Sequence, residues 1–227
     1  MDKKQIIQAL TEAKKISKKR NFNQSIDLII TIKDLDLKKV ENQVETFTQL
    51  HYSKGKKIKV CGLVGGELLE QSKEFFDNTI SAEEFEKYQK NPKSAKKLAK
   101  EYDYFVAQAT IMPKIAQIFG KAFGPRGKMP NPKAGCVVPP NANLEQLGIR
   151  LHHLVRISIK SVPMIQLMVG KEESKEEEII DNIMSIYNHL VHSLPKEESN
   201  IKNVFIKTTM GKPVLVGKKE KAEDEKK

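Results

Sequence analysis

Cysteine, tryptophan and other aromatic residues are scarce in this sequence. Its 227 residues include two cysteines and no tryptophan, and 6% of them are aromatic. Cys61 and Cys136 belong to no CxxC pair, which argues against a zinc ribbon and against a disulfide framework. Apolar residues lie beside both, so we expect buried, unreactive thiols. The scarcity of aromatic side chains disfavours binding of single-stranded nucleic acid on a row of stacked rings.

Long hydrophobic runs are also missing. One of the longest, residues 162–169, is interrupted by Pro163 and Gln166 and is far shorter than the roughly 18 residues of a membrane-spanning helix. The N-terminus leads into a lysine-rich amphipathic segment that lacks the apolar core of a secretory signal. We therefore expect a cytoplasmic protein that does not bind a membrane.

Enzyme signatures are absent as well. No GxGxxG motif occurs, and Gly127-Lys128 lacks both the first glycine and the following Ser or Thr of a phosphate-binding P-loop. His189 and His192 are spaced to share a helical face but have neither the glutamate nor the third ligand of a zinc site. We therefore expect no catalytic residue, no metal and no cofactor.

Positive charge, in contrast, is present in excess. The chain has 40 lysines and arginines against 29 acidic residues, and its net charge of +11 favours a polyanionic partner. Residues 104–144 contain no acidic side chain and six of the ten prolines. The glycines and prolines of residues 124–135 predict a defined loop that presents its cations. Two interpretations of this loop remain open: it binds phosphate or RNA backbone, or it is a rigid connector with solvated charges.

Hydrophobic patterns predict an α/β fold whose middle third differs from its two ends. The predicted strands cover residues 25–33, 44–50, 58–64, 104–107, 155–161, 164–169 and 203–208. The predicted helices cover residues 3–19, 67–75, 82–89, 94–101 and 112–119, and a long helix follows Ser174, which is expected to cap it. Short strands alternate with helices in the middle third, as in a parallel sheet. Residues 218–227 are almost wholly charged, which predicts disorder.

Three segments resemble one known family. Residues 124–135 read GPRGKMPNPKAG, and this stretch resembles the signature of the L-one family of large-subunit ribosomal proteins. Residues 20–25 (RNFNQS), which open the first strand, and residues 207–211 (KTTMG), which close the last one, agree with it. The resemblance covers residues 2–216, and the sequence as a whole is similar to archaeal and eukaryotic members.

The resemblance implies two domains joined by a hinge. Residues 1–63 and 156–217 would form a split α/β domain that holds the main RNA surface. Residues 64–155 would form an inserted, Rossmann-like domain without a nucleotide. The alternation of short strands and helices in the middle third agrees with such an insertion. The free protein is expected to be a monomer.

The resemblance also implies which residues contact RNA. The matching positions on the first strand and the last turn are Phe22, Gln24, Ser25, Thr31, Lys33, Thr208, Thr209, Met210 and Gly211. Two of them have a plainer interpretation, because Thr208 fits an ordinary strand threonine and Phe22 fits a hydrophobic staple. Glu45 stands where archaeal relatives have a basic residue, and His51-Tyr52-Ser53 replaces the Pro-His-Gly turn expected after that strand. Lys54, Lys56 and Lys57 are expected to substitute for the contacts of this strand. A secondary RNA-facing loop would comprise Lys121, Arg126, Lys128 and Lys133.

The function that the resemblance implies is non-enzymatic. A member of the family is expected to be a constituent of the large ribosomal subunit in the cytoplasm and to bind the rRNA of the mobile stalk. It is further expected to assist release of deacylated tRNA from the exit site and to repress translation of its own mRNA. The competing hypothesis is an α/β enzyme that binds a nucleotide or phosphorylated metabolite on the glycine-rich loop. A third is a basic duplex binder without ribosomal context.

Overall fold

The computed structural model describes residues 1–217, and the tail predicted to be disordered, residues 218–227, lies outside the described residues. The α-helices are α1 (Lys3–Ile16), α2 (Leu69–Phe75), α3 (Phe85–Lys90), α4 (Pro92–Glu101), α5 (Met112–Phe123), α6 (Leu144–His152) and α7 (Glu176–Ser193). The strands are β1 (Ser25–Ile32), β2 (Val44–Gln49), β3 (Val60–Val64), β4 (Asn78–Ser81), β5 (Tyr104–Gln108), β6 (Val137–Val138), β7 (Leu154–Ile159), β8 (Met164–Lys171), β9 (Ile201–Thr208) and β10 (Val214–Leu215). Within residues 1–217, no helix is long and apolar enough to cross a membrane.

The chain divides into two compact units. Residues 1–55 and 155–217 form the first unit, and Lys56–Leu154 forms the second. The sequence predicts these two borders between residues 63 and 64 and between residues 155 and 156. The first border lies earlier in the structure because β3 forms its ladders with β4 and β5, inside the second unit. The α/β fold class predicted from the sequence is confirmed.

The first unit contains a four-stranded antiparallel sheet in the order β10-β9-β1-β8. Alternate side chains of β1 are buried, which is the pattern of a strand with one face on a core. The apolar residues at positions 26, 28, 30 and 32 form the buried face. The residues between them lie on the opposite, partly exposed face, where Ile29 is opposite Phe205 of β9 and Gln166 of β8. β2 and β7 form a separate two-stranded sheet.

Helices α1 and α7 supply the apolar side chains that cover the buried face of this sheet. Ile6 and Leu10 of α1 belong to the same buried cluster as Ile183, Ile186 and Leu190 of α7. The spacing of these residues is helical, so each helix turns one apolar stripe toward the core. The core-facing stripe predicted for the long helix is confirmed.

The start of α7 differs from the sequence prediction. Ser174 was expected to cap the helix, but α7 begins at Glu176, with Lys175 at the cap position and no side-chain cap. The Ser174 hydroxyl instead accepts a hydrogen bond of 3.4 Å from the Lys171 amide. Because Ser174 lies in the turn that links β8 to α7, its hydroxyl stabilises that turn. The three glutamates of the first turn still lie at the positive end of the helix dipole.

The second unit is built on a parallel sheet. Its strand order is β4-β3-β5-β6, and each neighbouring pair is parallel, as the alternation of strands and helices predicts. Aromatic rings fill the core on one side of the sheet. Phe105 of β5 stacks on Phe123 of α5 with ring centroids 4.1 Å apart, and Phe119 lies 5.1 Å from Phe123.

Both thiols lie inside this second unit. Cys61 is 0% exposed and Cys136 is 3% exposed. Burial raises the pKa of Cys61 to about 12 and that of Cys136 to about 11, so neither forms a thiolate at neutral pH. The prediction of buried, unreactive thiols is confirmed.

Candidate nucleic-acid interface

The chain turns after β9, at Thr209, Met210 and Gly211. Met210 is among the most exposed large apolar side chains of residues 1–217, with an exposed fraction of 61%. Thr209 is also exposed, but hydrogen bonds hold its backbone against the start of β1. Its amide donates to the Ser25 carbonyl over 2.9 Å, and the Ser25 amide donates to Thr209 Oγ1 over 2.9 Å. The turn therefore presents an apolar side chain to solvent from a backbone that is fixed.

Gly211 lies directly on the side chains beneath this turn. Its amide donates to the Thr208 carbonyl over 3.1 Å. A Cβ atom at Gly211 would collide with the Thr208 hydroxyl and would lie 3.7 Å from Ser17 Cβ. Glycine is thus required here by the close approach of the turn to the core.

Gln24 and Thr208 lie beneath the turn and not on its surface. Gln24 is 0% exposed and Thr208 is 1% exposed. The Gln24 amide nitrogen donates to Ser17 Oγ over 3.0 Å, and the Thr208 hydroxyl donates to the same oxygen over 2.9 Å. The expectation that these two side chains touch RNA is therefore corrected, because both are used inside the fold. For Thr208, the plainer interpretation as a strand threonine that faces the interior agrees with the structure.

Phe22 lies in the segment that joins α1 to β1, and 52% of the residue is exposed. A staple residue would be packed against a helix, so this exposure favours the interpretation as a contact residue. Residues 18–20, which precede it, are three exposed cations. Phe22 and Met210 lie at the same end of the sheet, because the Gln24 side-chain oxygen accepts from the Met210 amide over 3.3 Å.

The remaining predicted residues of β1 extend away from this end. Ser25 belongs with the turn, as its bonds to Thr209 show. Thr31 donates its hydroxyl to the Asn203 carbonyl over 3.2 Å, and exposed Lys33 follows the end of the strand. At about 3.3 Å per residue, Lys33 lies about 26 Å from Ser25. The predicted residues therefore form two groups at opposite ends of β1.

Glu45 of β2 holds two cations of the first unit. Its Oε1 accepts from Arg156 Nη2 over 2.6 Å, and its Oε2 lies 2.7 Å from Lys160 Nζ. The Lys160 hydrogen bond contributes most to lowering the pKa of the Glu45 carboxyl below its ordinary 4.5; the charge and hydrogen bond of Arg156 act in the same direction, and desolvation opposes them. Lys54, one of the residues expected to substitute for a basic side chain at this strand, is partly exposed and lies beyond the end of β2.

The glycine- and proline-rich loop of the second unit, residues 124–135, uses two of its cations internally. Lys128 Nζ donates to the Tyr102 carbonyl over 2.6 Å, and Arg126 Nη1 donates to the Ala122 carbonyl over 3.1 Å. Desolvation by burial lowers the pKa of Lys128. Lys128 is partly buried and holds the loop on α4, so the connector interpretation describes it better than phosphate binding does, whereas Arg126 is bonded to α5 and stays exposed.

Two other cations of the same region point to solvent. Lys121 of α5 and Lys133 are exposed. Two hydrogen-bonded turns define the loop of residues 124–135: the Gly127 amide donates to the Gly124 carbonyl and the Gly135 amide to the Pro132 carbonyl, each over 2.9 Å. Both glycines adopt left-handed backbone conformations, with φ of 62° and 74°, which glycine permits without strain. Lys121 and Lys133 are therefore accessible to a polyanion, and so is Arg126, which is exposed although one of its nitrogens donates to Ala122.

The second unit offers no site for a nucleotide at the place where such sheets bind one. Open parallel sheets bind ligands where the strand order reverses, here at the carboxyl ends of β3 and β5. Gln108 Oε1 accepts from the Gly65 amide over 2.8 Å, and Gln108 Nε2 donates to the Glu67 carboxylate over 3.1 Å. The amide that a phosphate would use is thus occupied, and a carboxylate lies beside it. Among residues 1–217, no cluster of three or more side chains could hold a metal.

Comparison with known proteins identifies the family. Residues 13–212 match the model of the Ribosomal protein L1p/L10e family. The chain belongs to this family. It is 40% identical to the large ribosomal subunit protein uL1 of Pyrococcus abyssi over 216 residues, which cover 95% of this chain and 96% of the relative. It is also 40% identical to the uL1 protein of Methanocaldococcus jannaschii over 222 residues, covering 98% and 99% of the two chains.

Membership in the L1p/L10e family confirms the resemblance seen in the sequence motifs. The protein is accordingly a structural constituent of the large ribosomal subunit, and it is located in the ribosome in the cytoplasm. The L1p/L10e family is a family of ribosomal proteins.

Proposed function

We propose that this protein binds large-subunit rRNA directly, at the mobile stalk near the exit site of the ribosome. The observation that carries the proposal is the exposure of Met210 on a turn whose backbone is hydrogen-bonded to β1. A side chain that is 61% exposed contributes little to the core. A fixed backbone around it gives a folded RNA a defined shape to match, which is how proteins recognise structured RNA.

Each residue of the turn has a different role. Thr209 is exposed; its hydroxyl accepts from the Ser25 amide and donates to the Ser25 carbonyl over 3.2 Å, which leaves one lone pair to accept from a ribose 2′-hydroxyl. Met210 packs on a sugar or a base, and Gly211, where a side chain would collide with Thr208, lets the turn lie close to the core. Phe22 adds a ring face, and residues 18–20 add three positive charges next to it. This part of the surface determines which RNA is bound.

A second set of residues contributes charge. Lys33 follows β1 and Lys54 follows β2, and the second unit exposes Lys121 and Lys133. Such side chains neutralise phosphates and release counterions, so their contribution falls steeply with salt concentration. Thr31 lies at the same end of β1 as Lys33. Its hydroxyl donates to the Asn203 carbonyl. This set strengthens binding without reading the RNA.

A filter-binding titration tests the proposal. The protein is titrated against the large-subunit rRNA stalk fragment and against a random duplex of the same length, each at several salt concentrations. We expect stalk binding that survives salt, while duplex binding collapses. Equal affinities that weaken together along one salt line would contradict a shaped site and would support a general duplex binder.

We extend the proposal to release of deacylated tRNA from the exit site. The support is the position that the sequence resemblance implies, on a mobile stalk beside that site. Large subunits reconstituted with and without the protein should release labelled tRNA at different rates, with slower release when the protein is missing. Equal rates would contradict this extension and leave rRNA binding unaffected.

Repression of its own mRNA would use the same surface. An mRNA segment that imitates the stalk would compete for Met210 and its neighbours. We therefore expect the mRNA leader and the stalk fragment to displace each other, and Thr209→Ala to weaken binding of both. Simultaneous binding of the two RNAs would rule out a shared site.

A further inference from the structure

We propose that Gln24 is a positioning residue for the RNA-binding turn. Its buried side-chain amide holds the Met210 backbone and so sets the direction in which Met210 meets the RNA. The inference rests on the proposed function, because it concerns the same surface. It differs from the expectation drawn from the sequence, in which Gln24 itself touches RNA.

The Gln24 side chain joins four separate segments of the first unit. Its Nε2 donates to Ser17 Oγ at the end of α1, over 3.0 Å, and lies 3.4 Å from both the Lys18 carbonyl and Glu172 Oε2 after β8. Its Oε1 accepts from the amide of Met210, over 3.3 Å. With an exposed fraction of 0%, this amide has these partners instead of water. The Met210 backbone is thereby tied to α1 and to the loop after β8.

Ser17 extends this network to the rest of the turn. It follows the last residue of α1, and its hydroxyl oxygen accepts hydrogen bonds from both Gln24 and Thr208. Gly211 lies so close to Ser17 and Thr208 that no side chain fits there. A movement of the Gln24 amide would therefore displace the turn at both Met210 and Gly211.

The directional character of hydrogen bonds explains why a side-chain amide, and not an apolar side chain, occupies position 24. The other residues of this buried face of β1 are aliphatic and belong to the apolar core. Burial of a polar group adds little net stability compared with an apolar side chain, because its bonds to water are lost. Hydrogen bonds do fix orientation, however, and a turn that is fixed before binding loses less conformational entropy when RNA binds. The buried amide is thus suited to preorganise the turn.

The variant Gln24→Met tests the inference, because methionine has a similar size and none of the hydrogen bonds. We expect the dissociation constant for the stalk fragment to rise about tenfold, since the turn must be ordered on binding. The slope of log Kd against log salt should stay unchanged, because no phosphate contact is removed. Hydrogen exchange at the Met210 amide should become faster than in a variant destabilised elsewhere in the first unit, because only Gln24→Met removes the bond to this amide.

Asn182→Leu is the matched control. Asn182 is a second buried amide of the first unit, 1% exposed, and it bonds to the Tyr52 backbone and to the Val169 carbonyl. Replacing Asn182 by leucine should lower Tm but leave RNA affinity within about twofold of the wild type, because Asn182 does not contact the turn. All affinities are measured at a temperature at which circular dichroism shows each variant to be folded.

Each outcome decides one question. If Gln24→Met binds the stalk as the wild type does while Met210→Ala binds weakly, the positioning role is wrong and the proposed function stands. If Met210→Ala also binds normally, the proposed function itself fails. If Asn182→Leu loses as much affinity as Gln24→Met, the effect is one of general stability, and the inference is overturned.

Ser17→Ala keeps the inference testable if Gln24→Met does not fold. This change removes only the oxygen that Gln24 and Thr208 share. We expect a smaller loss of affinity in the same direction, with faster exchange at the Met210 amide. Unchanged affinity and unchanged exchange would overturn the positioning role.

Discussion

Gly211 is the residue of the proposed RNA surface with the least room for a side chain. A Cβ atom there would collide with the Thr208 hydroxyl, which is itself held by Ser17. We expect Gly211→Ala to lower the free energy of unfolding by about 1 to 3 kcal/mol, the range for overpacking a filled site. The displaced turn should also bind the stalk fragment more weakly. Urea unfolding and filter binding measure the two effects.

Gly120→Ala is the control for this substitution. Gly120 lies within α5, and a Cβ there would meet nothing within 4 Å. Because alanine favours a helix more than glycine does, we expect a gain of up to about 1 kcal/mol in stability and no change in RNA affinity. A stability loss equal to that of Gly211→Ala would show that crowding at the turn is not the cause.

The residue scale also shows how far a sequence can predict a binding surface. Phe22, Thr209 and Met210 are exposed, as an RNA contact requires, and short motifs identify them. Gln24 and Thr208 match the same motifs but are buried. The alternation of buried and exposed residues along a strand predicts that both are buried. Gln24 continues the buried positions 26, 28 and 30, and Thr208 continues the buried positions 204 and 206. The partner that Thr208 shares with Gln24 was not predictable, because Ser17 is 191 residues from Thr208 in sequence.

At the scale of elements, the Glu45 ion pairs join β2 to β7 and to the residue that follows it. Because the folded state lowers the pKa of Glu45, the unfolded chain takes up a proton first as the pH falls. The stabilisation is therefore fully present above the ordinary value of 4.5 and is lost as the pH falls through the lowered pKa. We expect Glu45→Gln to lose about 0.5 to 1 kcal/mol at pH 7, a small amount because the pairs are partly exposed to solvent.

Unfolding with urea at pH 7 and at about pH 3 measures this effect, because the difference between wild type and Glu45→Gln should shrink at the lower pH. Glu84→Gln is the matched control. Glu84 lies 3.1 Å from Lys87 in an exposed pair. It should change stability little at either pH. A Glu45→Gln effect that does not depend on pH would show that the carboxylate charge is not responsible.

Lys128 holds the loop of residues 124–135 against the end of α4. Its ammonium group donates to the carbonyl of Tyr102 at the C-terminal end of α4. The negative end of the helix dipole also favours a cation there. We expect Lys128→Met to lower the free energy of unfolding by about 1 kcal/mol. Lys133→Met, at an exposed position of the same loop, should stay within about 0.5 kcal/mol. Equal losses measured by thermal unfolding would contradict a structural role for Lys128.

Elements with long apolar patterns were predictable, and several of the short ones were not. β1, β9 and α7 carry clear periodicity over at least eight residues. The shorter elements β4, β6, β10 and α6 were not predicted, since each gives little pattern to recognise. α1 ends at Ile16 and not near residue 19, because Ser17 takes an extended conformation in which its hydroxyl meets Gln24 and Thr208. That contact is tertiary, and helix periodicity does not report it.

At the scale of the whole molecule, the positive charge is not equally available to a partner. The net charge is +11, but Glu45 holds Arg156 and Lys160, and Lys128 is engaged by its own unit. In the proposed function, charge supplies attraction to any polyanion, and the turn at Met210 supplies the preference for one folded RNA. The two contributions differ in salt dependence, which makes them separable by experiment.

The most direct test of this account is the salt dependence of stalk binding for three proteins: wild type, Met210→Ala and Lys33→Gln. We expect the Met210→Ala line of log Kd against log salt to lie about tenfold weaker at every salt concentration, with an unchanged slope. The Lys33→Gln line should have a slope reduced by about 1. If the Met210→Ala line coincides with that of the wild type at every salt concentration, binding is a matter of charge alone and the account is wrong.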